Sequence, residues 1–368
     1  MITFTARKPR RAYLERLIVL IALMLLATRL QGARAAVVSI LSVGLCMITD
    51  AVCCKLRKIP YDIKAPEVPF WGLAAAAMMP ASIPFGLILL SSVICIVVGK
   101  HLFGASDNIV FCPPVISAAF LTICYPAEML YFPKYGEHYP IFGDFDGLLS
   151  RSLEYSLKLG VTPTNTLWDT LMGLVPVPIG SSYILVIIVC GICLMVMRSS
   201  SACASVSCLA VTALLAFCFP RANVYGIQSV FYELSSGYLM FGTMFLAAEP
   251  YRMPEKTMGK VIYGAFLGYT TMMFRFFGQT EGSFLFALLI TAALLSAFDR
   301  VVENLSYWKK TYVNSFEKSK TQVQKGDIKL TDTQEIVLPE KYRYNTPPID
   351  GEIKKHRRRS KEDRNEKK

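Results

Sequence analysis

The sequence predicts an all-α polytopic membrane protein, with about ten transmembrane helices in two inverted five-helix repeats that contain broken helices. Three observations lead there. Of 368 residues, 53% are hydrophobic and only 18% charged, with a mean hydropathy of +0.41, which is far from the balance of a soluble domain. Apolar runs of roughly 20 residues, enough to cross a bilayer as a helix, recur along the chain. Third, one Gly/Pro-interrupted pattern occurs twice, once in each half.

The pattern is Trp71-Gly72 followed by Pro80 and Pro84, and again Phe241-Gly242 followed by Pro250 and Pro254, at identical spacing. Each copy leads into another apolar run and then into Phe-Gly and an acidic residue, Phe103-Gly104 with Asp107 and Phe277-Gly278 with Glu281. Matching interrupted segments in two halves are the mark of an inverted-repeat membrane protein. Each proline removes a backbone donor and frees carbonyls that can face a cation, while a kink kept for packing is the plainer alternative. Gly72 and Gly242 also suit close helix contact.

Taken in order, spans are expected near residues 13–31, 35–54, 107–125, 182–198, 203–219, 233–250, 258–275 and 281–304, with the Pro-broken stretch 69–98 forming two short ones. The chain then divides into a first membrane repeat (1–125), an extracytoplasmic loop (126–181), a second membrane repeat (182–304) and a disordered basic tail (305–368). Hydrophobic sequence resumes at Ala35 directly after the first run, so that run reads as a retained span and not as a cleaved leader.

Charge sets the orientation. The formal net charge is +12, and Lys354–Lys368 carries nine basic against three acidic residues. With Arg7, Lys8, Arg10 and Arg11 at the other end, both termini are expected in the cytoplasm, at the inner membrane of a cell, with an even number of crossings. Lys55, Arg57, Lys58 and Lys100 then fall inside. The loop 126–181 falls outside, and it is acidic, with Glu128, Glu137, Asp144, Asp146, Glu154 and Asp169 against Lys134, Arg151 and Lys158. The basic tail beside a membrane anchor suits anionic lipid or a protein partner, and nucleic acid is not expected.

Soluble-enzyme chemistry has little to stand on. There is no Walker loop, dinucleotide fingerprint, zincin motif or nucleophile elbow. The eleven cysteines lie in apolar segments, and Cys190 and Cys193 read as packing residues. His101, His138 and His356 stand apart from other metal-type ligands in sequence. Ionisable residues at membrane depth are functional by default. Glu249, Arg275 and Glu281 are the candidates, whereas Asp50 and Asp299 are expected to be solvated at the interface.

The external loop leads into Leu159-Gly160-Val161-Thr162-Pro163 and continues to Pro178-Ile179-Gly180-Ser181-Ser182-Tyr183. Here the chain resembles RnfD, a membrane component of the Rnf electron-transport complex, and its relative NqrB of the sodium-pumping NADH:quinone reductase. The likeness extends through Gly99-Lys100, Phe103-Gly104, Asn108 and Pro113 to Glu249-Pro250, Arg275, Glu281-Gly282 and Asp299. In that family a Gly-Ala-Thr-Pro element carries FMN esterified through its phosphate to the threonine. The resemblance therefore implies covalent FMN on Thr162, with Gly160, Gly180, Ser181 and Ser182 about its phosphate or ring, and leaves room for a second flavin such as riboflavin. Ser156, Leu159 and Val161 stand where the family has an acidic residue, a hydroxyl residue and alanine.

The same resemblance implies a membrane flavoprotein subunit of an ion-translocating ferredoxin:NAD⁺ oxidoreductase, embedded in the lipid bilayer beside Rnf-type subunits A, B, C, E and G, and coupled to Na⁺ or H⁺. The chain has no NAD or iron–sulfur motif of its own. A transporter or channel on the same inverted-repeat fold, or a scaffold that has lost the flavin, are the rival readings. Ser181 and Ser182 are also placed to cap the helix that begins near Tyr183.

Overall fold

In the computed structural model, residues 9–102, 109–133, 140, 149–163, 166–221, 225–249, 253–254, 256–278, 281–304 and 307–308 are described. Two long helices, α1 (Pro9–Gln31) and α2 (Ala33–Leu56), come first, with Gly32 between them at φ 81°. After them α3 (Glu67–Ala77) closes on Met78 and Met79, whose N–H groups bond back to Ala75 and Ala76. Pro80 and Pro84 forbid continuation. The chain restarts as α4 (Phe85–Ile96), which widens into a π turn at Val97–His101. Pro113 and Pro114 occupy the first turn of α5 (Pro113–Cys124), where no intrahelical N–H is needed.

The connecting region holds α6 (Pro126–Met129), strands β1 (Tyr131–Pro133) and β2 (Leu149–Arg151), α7 (Leu153–Lys158), α8 (Leu167–Met172) and a 3₁₀ turn at Ile179–Ser181. The strands pair antiparallel, Tyr131 opposite Arg151. This small hairpin corrects the all-α expectation.

The second half comprises α9 (Ile184–Val196), α10 (Ala202–Cys218), α11 (Ile227–Ser235) and α12 (Leu239–Phe241), which runs on as π turns through Gly242–Ala247. Next comes α13 (Thr257–Met273), ending in a second π turn, Phe274–Gly278. The last helices, α14 (Ser283–Ala293) and α15 (Leu295–Asn304), are bent by 55° at their junction. Two expected spans are thus not single helices. The 233–250 run breaks at Ser236–Tyr238, where Gly237 has φ 65°, and the 281–304 run bends at Leu294.

Apolar residues both fill the interior and line the outside. Phe70, Trp71 and Ala74 to Met79 are all enclosed, as are Phe241, Phe245 and Phe284, so the two interrupted helices are the core. Meanwhile Ile40 (74% exposed), Leu25 (63%), Leu214 (63%) and Val189 (57%) stand outward from α2, α1, α10 and α9. Apolar side chains on the outside of these long helices suit a hydrocarbon solvent. Among the described residues, α2 alone is a single helix long and apolar enough to cross a bilayer, and α14 with α15 qualifies as a bent pair. Gly72 is required for the approach of α3 to α2: a Cβ there would lie 2.9 Å from Val43 Cα, and Ser42 Oγ donates to the Gly72 carbonyl at 2.8 Å.

Candidate functional site

Thr162 is exposed, and the chain delivers it by a specific local device. Gly160 stands at φ 70°, the left-handed conformation that ends a helix with least strain in glycine. Its N–H bonds to Leu157 O (3.1 Å) and that of Val161 to Ser156 O (3.0 Å). These bonds close α7, so both N–H groups are engaged in capping. Thr166 plays a different part. Its hydroxyl accepts from Asp169 N–H at 3.2 Å while the Asp169 carboxylate accepts from Thr166 N–H at 3.1 Å. That capping box starts α8. Thr164 lies outside the described residues. No described group bonds to the Thr162 hydroxyl.

What holds α7 is a buried charge network that sequence reasoning foresaw only in part. Glu154, 3% exposed, accepts from Gly282 N–H (3.0 Å) and Ser283 Oγ (2.8 Å). Arg275, singled out from sequence as an ionisable residue at membrane depth, sits inside this network with its side chain wholly enclosed. Its Nη1 donates to the Glu233 carbonyl (2.7 Å) and carboxylate (2.8 Å), and Nη2 to Ser236 O (3.0 Å). Arg221, just past α10, grips the same carboxylate, Nε to Oε1 at 2.6 Å and Nη2 to Oε2 at 2.9 Å. At the rim, Arg151 donates to Glu281 (2.8 Å) and to the Tyr131 hydroxyl (3.2 Å), with its guanidinium over the Tyr155 ring at 4.2 Å. The Tyr131 hydrogen bond pushes the Arg151 pKa above the ordinary guanidinium value. Glu281 Oε2 and the Tyr238 hydroxyl are buried beside it with no hydrogen-bond partner among the described residues. Glu154 and Glu233 were not singled out from sequence; neither is part of a spaced motif.

Gly180, Ser181 and Ser182 lie at the other end of the loop, on the first half. Gly180 packs so closely on α3 that a Cβ would lie 2.6 Å from Ala77 Cβ. Ser182 Oγ donates to Ile179 O (2.7 Å) and accepts from Gln31 Nε2 (2.8 Å), and α9 has no side-chain cap, so the capping alternative is corrected. Ser181 Oγ is buried and unpartnered among the described residues. No described hydrogen bond joins these three residues to Thr162 or Gly160.

A third cluster corrects two expectations. Asp50 is 3% exposed rather than interfacial, and its Oδ1 accepts from Lys100 Nζ and faces His101 Nε2, both at 2.8 Å. The expectation that His101 lacks metal-type neighbours fails as well, since Asp50, Cys54 and His101 each offer a ligand atom within 4.8 Å of the others. They could hold a transition metal by donor type. The surroundings oppose it: Lys100 already neutralises Asp50, and Arg57 Nη1 lies 3.5 Å from His101 Nδ1. His138 and His356 lie outside the described residues. None of the eleven cysteines is in a disulfide; Cys190 is half-buried and Cys193 exposed.

The devices of the two halves correspond. Ser42 of α2 bonds the carbonyl of Gly72, and Ser205 of α10 bonds that of Thr243 at 3.1 Å. The helix after each Pro-x-x-x-Pro break ends in a π turn, which carries Lys100 and His101 to buried Asp50 in one half and Arg275 to buried Glu233 in the other. An arginine just past α2 or α10 then clamps a π-turn carbonyl, Arg57 on His101 O (2.9 Å) and Arg221 on Arg275 O (3.2 Å). A mostly helical membrane protein with buried ion pairs and an apolar exterior is the class these features define.

The chain belongs to the NQR2, RnfD, RnfE family, whose model matches residues 3–307. Among its relatives is the D-subunit of the ion-translocating oxidoreductase complex of Actinobacillus succinogenes, 26% identical over 299 residues, covering 71% of this chain and 82% of the relative. The corresponding protein of Haemophilus ducreyi is 23% identical over 260 residues, 63% and 75% of the two chains. Similarity also reaches the B-subunit of the Na⁺-translocating NADH-quinone reductase of Chromohalobacter salexigens, 25% identical over 207 residues, 54% of this chain and 49% of that protein.

Proposed function

We propose that this protein is the RnfD-type membrane component of an ion-translocating oxidoreductase complex, and that it carries FMN esterified to Thr162. The observation that carries the reading is the presentation of Thr162: an exposed hydroxyl two residues beyond a glycine-capped helix that Glu154 and Arg151 fasten to the second half. A hydroxyl that must be reached by a modifying enzyme has to be exposed, and a redox group that must exchange electrons has to be held in place. Bound there, FMN would supply the electron chemistry. This chain's part is attachment through Thr162 Oγ1, and Ser181, whose buried hydroxyl has no described partner, is the most available of the other candidates.

The corresponding devices of the two halves support the membrane arrangement we propose. About ten crossings in two inverted repeats of five, divided at 125 and 182 with both termini cytoplasmic, put the Asp50 cluster at the cytoplasmic side and the Arg275 cluster at the external side. Equivalent π turns then lie at opposite faces. The partners in this reading are the other Rnf-type subunits and the bilayer, with the 305–368 tail as a solvated extension, and the coupling ion is Na⁺ or H⁺. Riboflavin as a second flavin belongs to the same proposal.

One observation favours a rival. Leu159 and Val161 are 57% and 54% exposed, so apolar side chains flank Thr162 where a modifying enzyme would dock, and a transporter, channel or scaffold that has lost the flavin would look the same. Mass spectrometry of the peptide beginning at Leu159, from native membranes that contain the flavin transferase, decides between them. A peptide heavier by one FMN less water, lost in Thr162→Val, is expected; an unmodified peptide together with absent flavin fluorescence would sink covalent attachment.

A further inference from the structure

At the break in the second half, side chains from elsewhere in the fold donate to backbone carbonyls of the π turn and the residues after it. Thr243 O accepts from Ser205 Oγ and Met244 O from Ser200 Oγ at 3.3 Å. Phe245 O is different, because the residue five positions on, where the π register needs a donor, is Pro250 and has no N–H. Arg16, from α1, takes that place. Its Nη1 donates to Phe245 O (3.2 Å), Nη2 to Ala248 O (2.8 Å), and Nη2 with Nε to Ser199 O (2.8 and 3.0 Å). Glu249 Oε1 lies 3.9 Å from Nη1, and Arg16 and Glu249 are each 1% exposed. Beside them Glu15 accepts from the Ser199 hydroxyl and pairs with Arg11 at 3.2 Å.

Three carbonyl oxygens and a carboxylate converging on one enclosed point form a hard-oxygen set of the kind that broken helices offer to alkali cations. We propose that this set is a monovalent-cation site that the chain fills with its own Arg16, so that the second break is a locked joint and no free ion passes through it. The guanidinium suits that role, because its planar fork reaches three carbonyls at once and its charge does not titrate. The first break is built otherwise: Met79 O accepts from Ile179 N–H and Pro80 O from Ile83 N–H, and Arg34 reaches Ile83 O only at 3.4 Å. The Arg16 lock lies at the second break. It also pins α1 to the second half, since any opening of the break requires extraction of a buried guanidinium.

The test needs no flavin and no partner subunit. The full chain in detergent is melted by intrinsic fluorescence in choline chloride, in sodium chloride and in choline chloride with low-millimolar guanidinium chloride. Wild type should melt at the same temperature in Na⁺ and choline. Arg16→Ala should melt lower in choline and recover by about 5 °C when Na⁺ or guanidinium is present well above its dissociation constant. If Arg16→Ala yields no folded protein, Arg16→Lys keeps a tethered cation in the cage and should fold and ignore Na⁺. An Arg16→Ala protein with one melting temperature in all three salts would overturn the proposal. So would a Na⁺-dependent Arg16→Lys, or a wild type stabilised by Na⁺ in a manner that Glu249→Gln abolishes.

Discussion

Arg275→Gln tests the charge network that supports the Thr162 loop. Removing one partner of a buried ion pair costs about 3–5 kcal/mol, because the other charge is stranded away from water. Two features of this site place the value at the lower end. Glu233 keeps both bonds from Arg221 at 2.6 and 2.9 Å, and Glu154 keeps those from Gly282 and Ser283. What is lost outright is the bond to the Glu233 carboxylate at 2.8 Å, the cation facing Glu154 at 3.5 Å and the donors to the Glu233 and Ser236 carbonyls. A loss of about 3 kcal/mol, at about 2 °C per kcal/mol for a chain of this size, lowers the melting temperature by about 6 °C. Thermal unfolding of the purified protein in detergent reads it directly. The partner variant Glu233→Gln should be damaging alone, yet the double variant should melt higher than the sum of the two single losses, with a coupling of about 1–3 kcal/mol. Strict additivity, or an Arg275→Gln protein within a degree of wild type, would refute a buried Arg275–Glu233 pair.

Asp50→Asn should destabilise by about 2 kcal/mol, since Lys100 and His101 lose a charged acceptor while the asparagine oxygen keeps a neutral one; thermal melts check it. Gly72→Val should cost about 1–3 kcal/mol or prevent folding, because the new side chain meets the α2 backbone at Val43, and expression with a folded melt is the readout. Thr162→Val should abolish covalent flavin with little change in melting, whereas Thr166→Ala should keep the flavin and lose about 1 kcal/mol with the α8 cap. In-gel flavin fluorescence beside a thermal melt separates the two.

Periodicity and punctuation located the long apolar helices, but not α6, α7, α8 or α11. Pro80, Pro84 and Gly72 mark one break by chain chemistry alone, because a missing donor is a property of the residue and not of its surroundings. The bend at Leu294 and the break at Ser236–Tyr238 are less plainly marked. The second depends on what packs there: Glu154 closes on Gly237 and Arg275 on Ser236 O. Charged residues were harder to place. Asp50 looks interfacial in sequence, being close to Lys55 and Arg57, yet a π turn 50 residues later carries Lys100 and His101 to it. Arg16 falls inside the first expected span, 13–31, close to the basic cluster Arg7 to Arg11. Its partners are 183 to 232 residues away, and no local pattern announces a contact at that separation.

The loop between the halves is fastened at both ends, to different halves. Upstream of Thr162, Glu154 and Arg151 bond to Gly282, Ser283 and Glu281 of the second half. Downstream, Ile179 N–H bonds to Met79 O at the first break, and Gln31 of α1 bonds to Val177 O and Ser182 Oγ. Thr162 stands between these anchorages, so its position depends on how the halves are set against each other. A group attached there by one flexible bond would otherwise wander over several ångströms, and electron transfer and its coupling to an ion both require a fixed separation. For the proposed FMN ester, the covalent bond would supply retention and the two anchorages position. Buried charges gather under α7, a helix of only six residues, beside the small apolar cluster of Leu153, Leu157 and Tyr232.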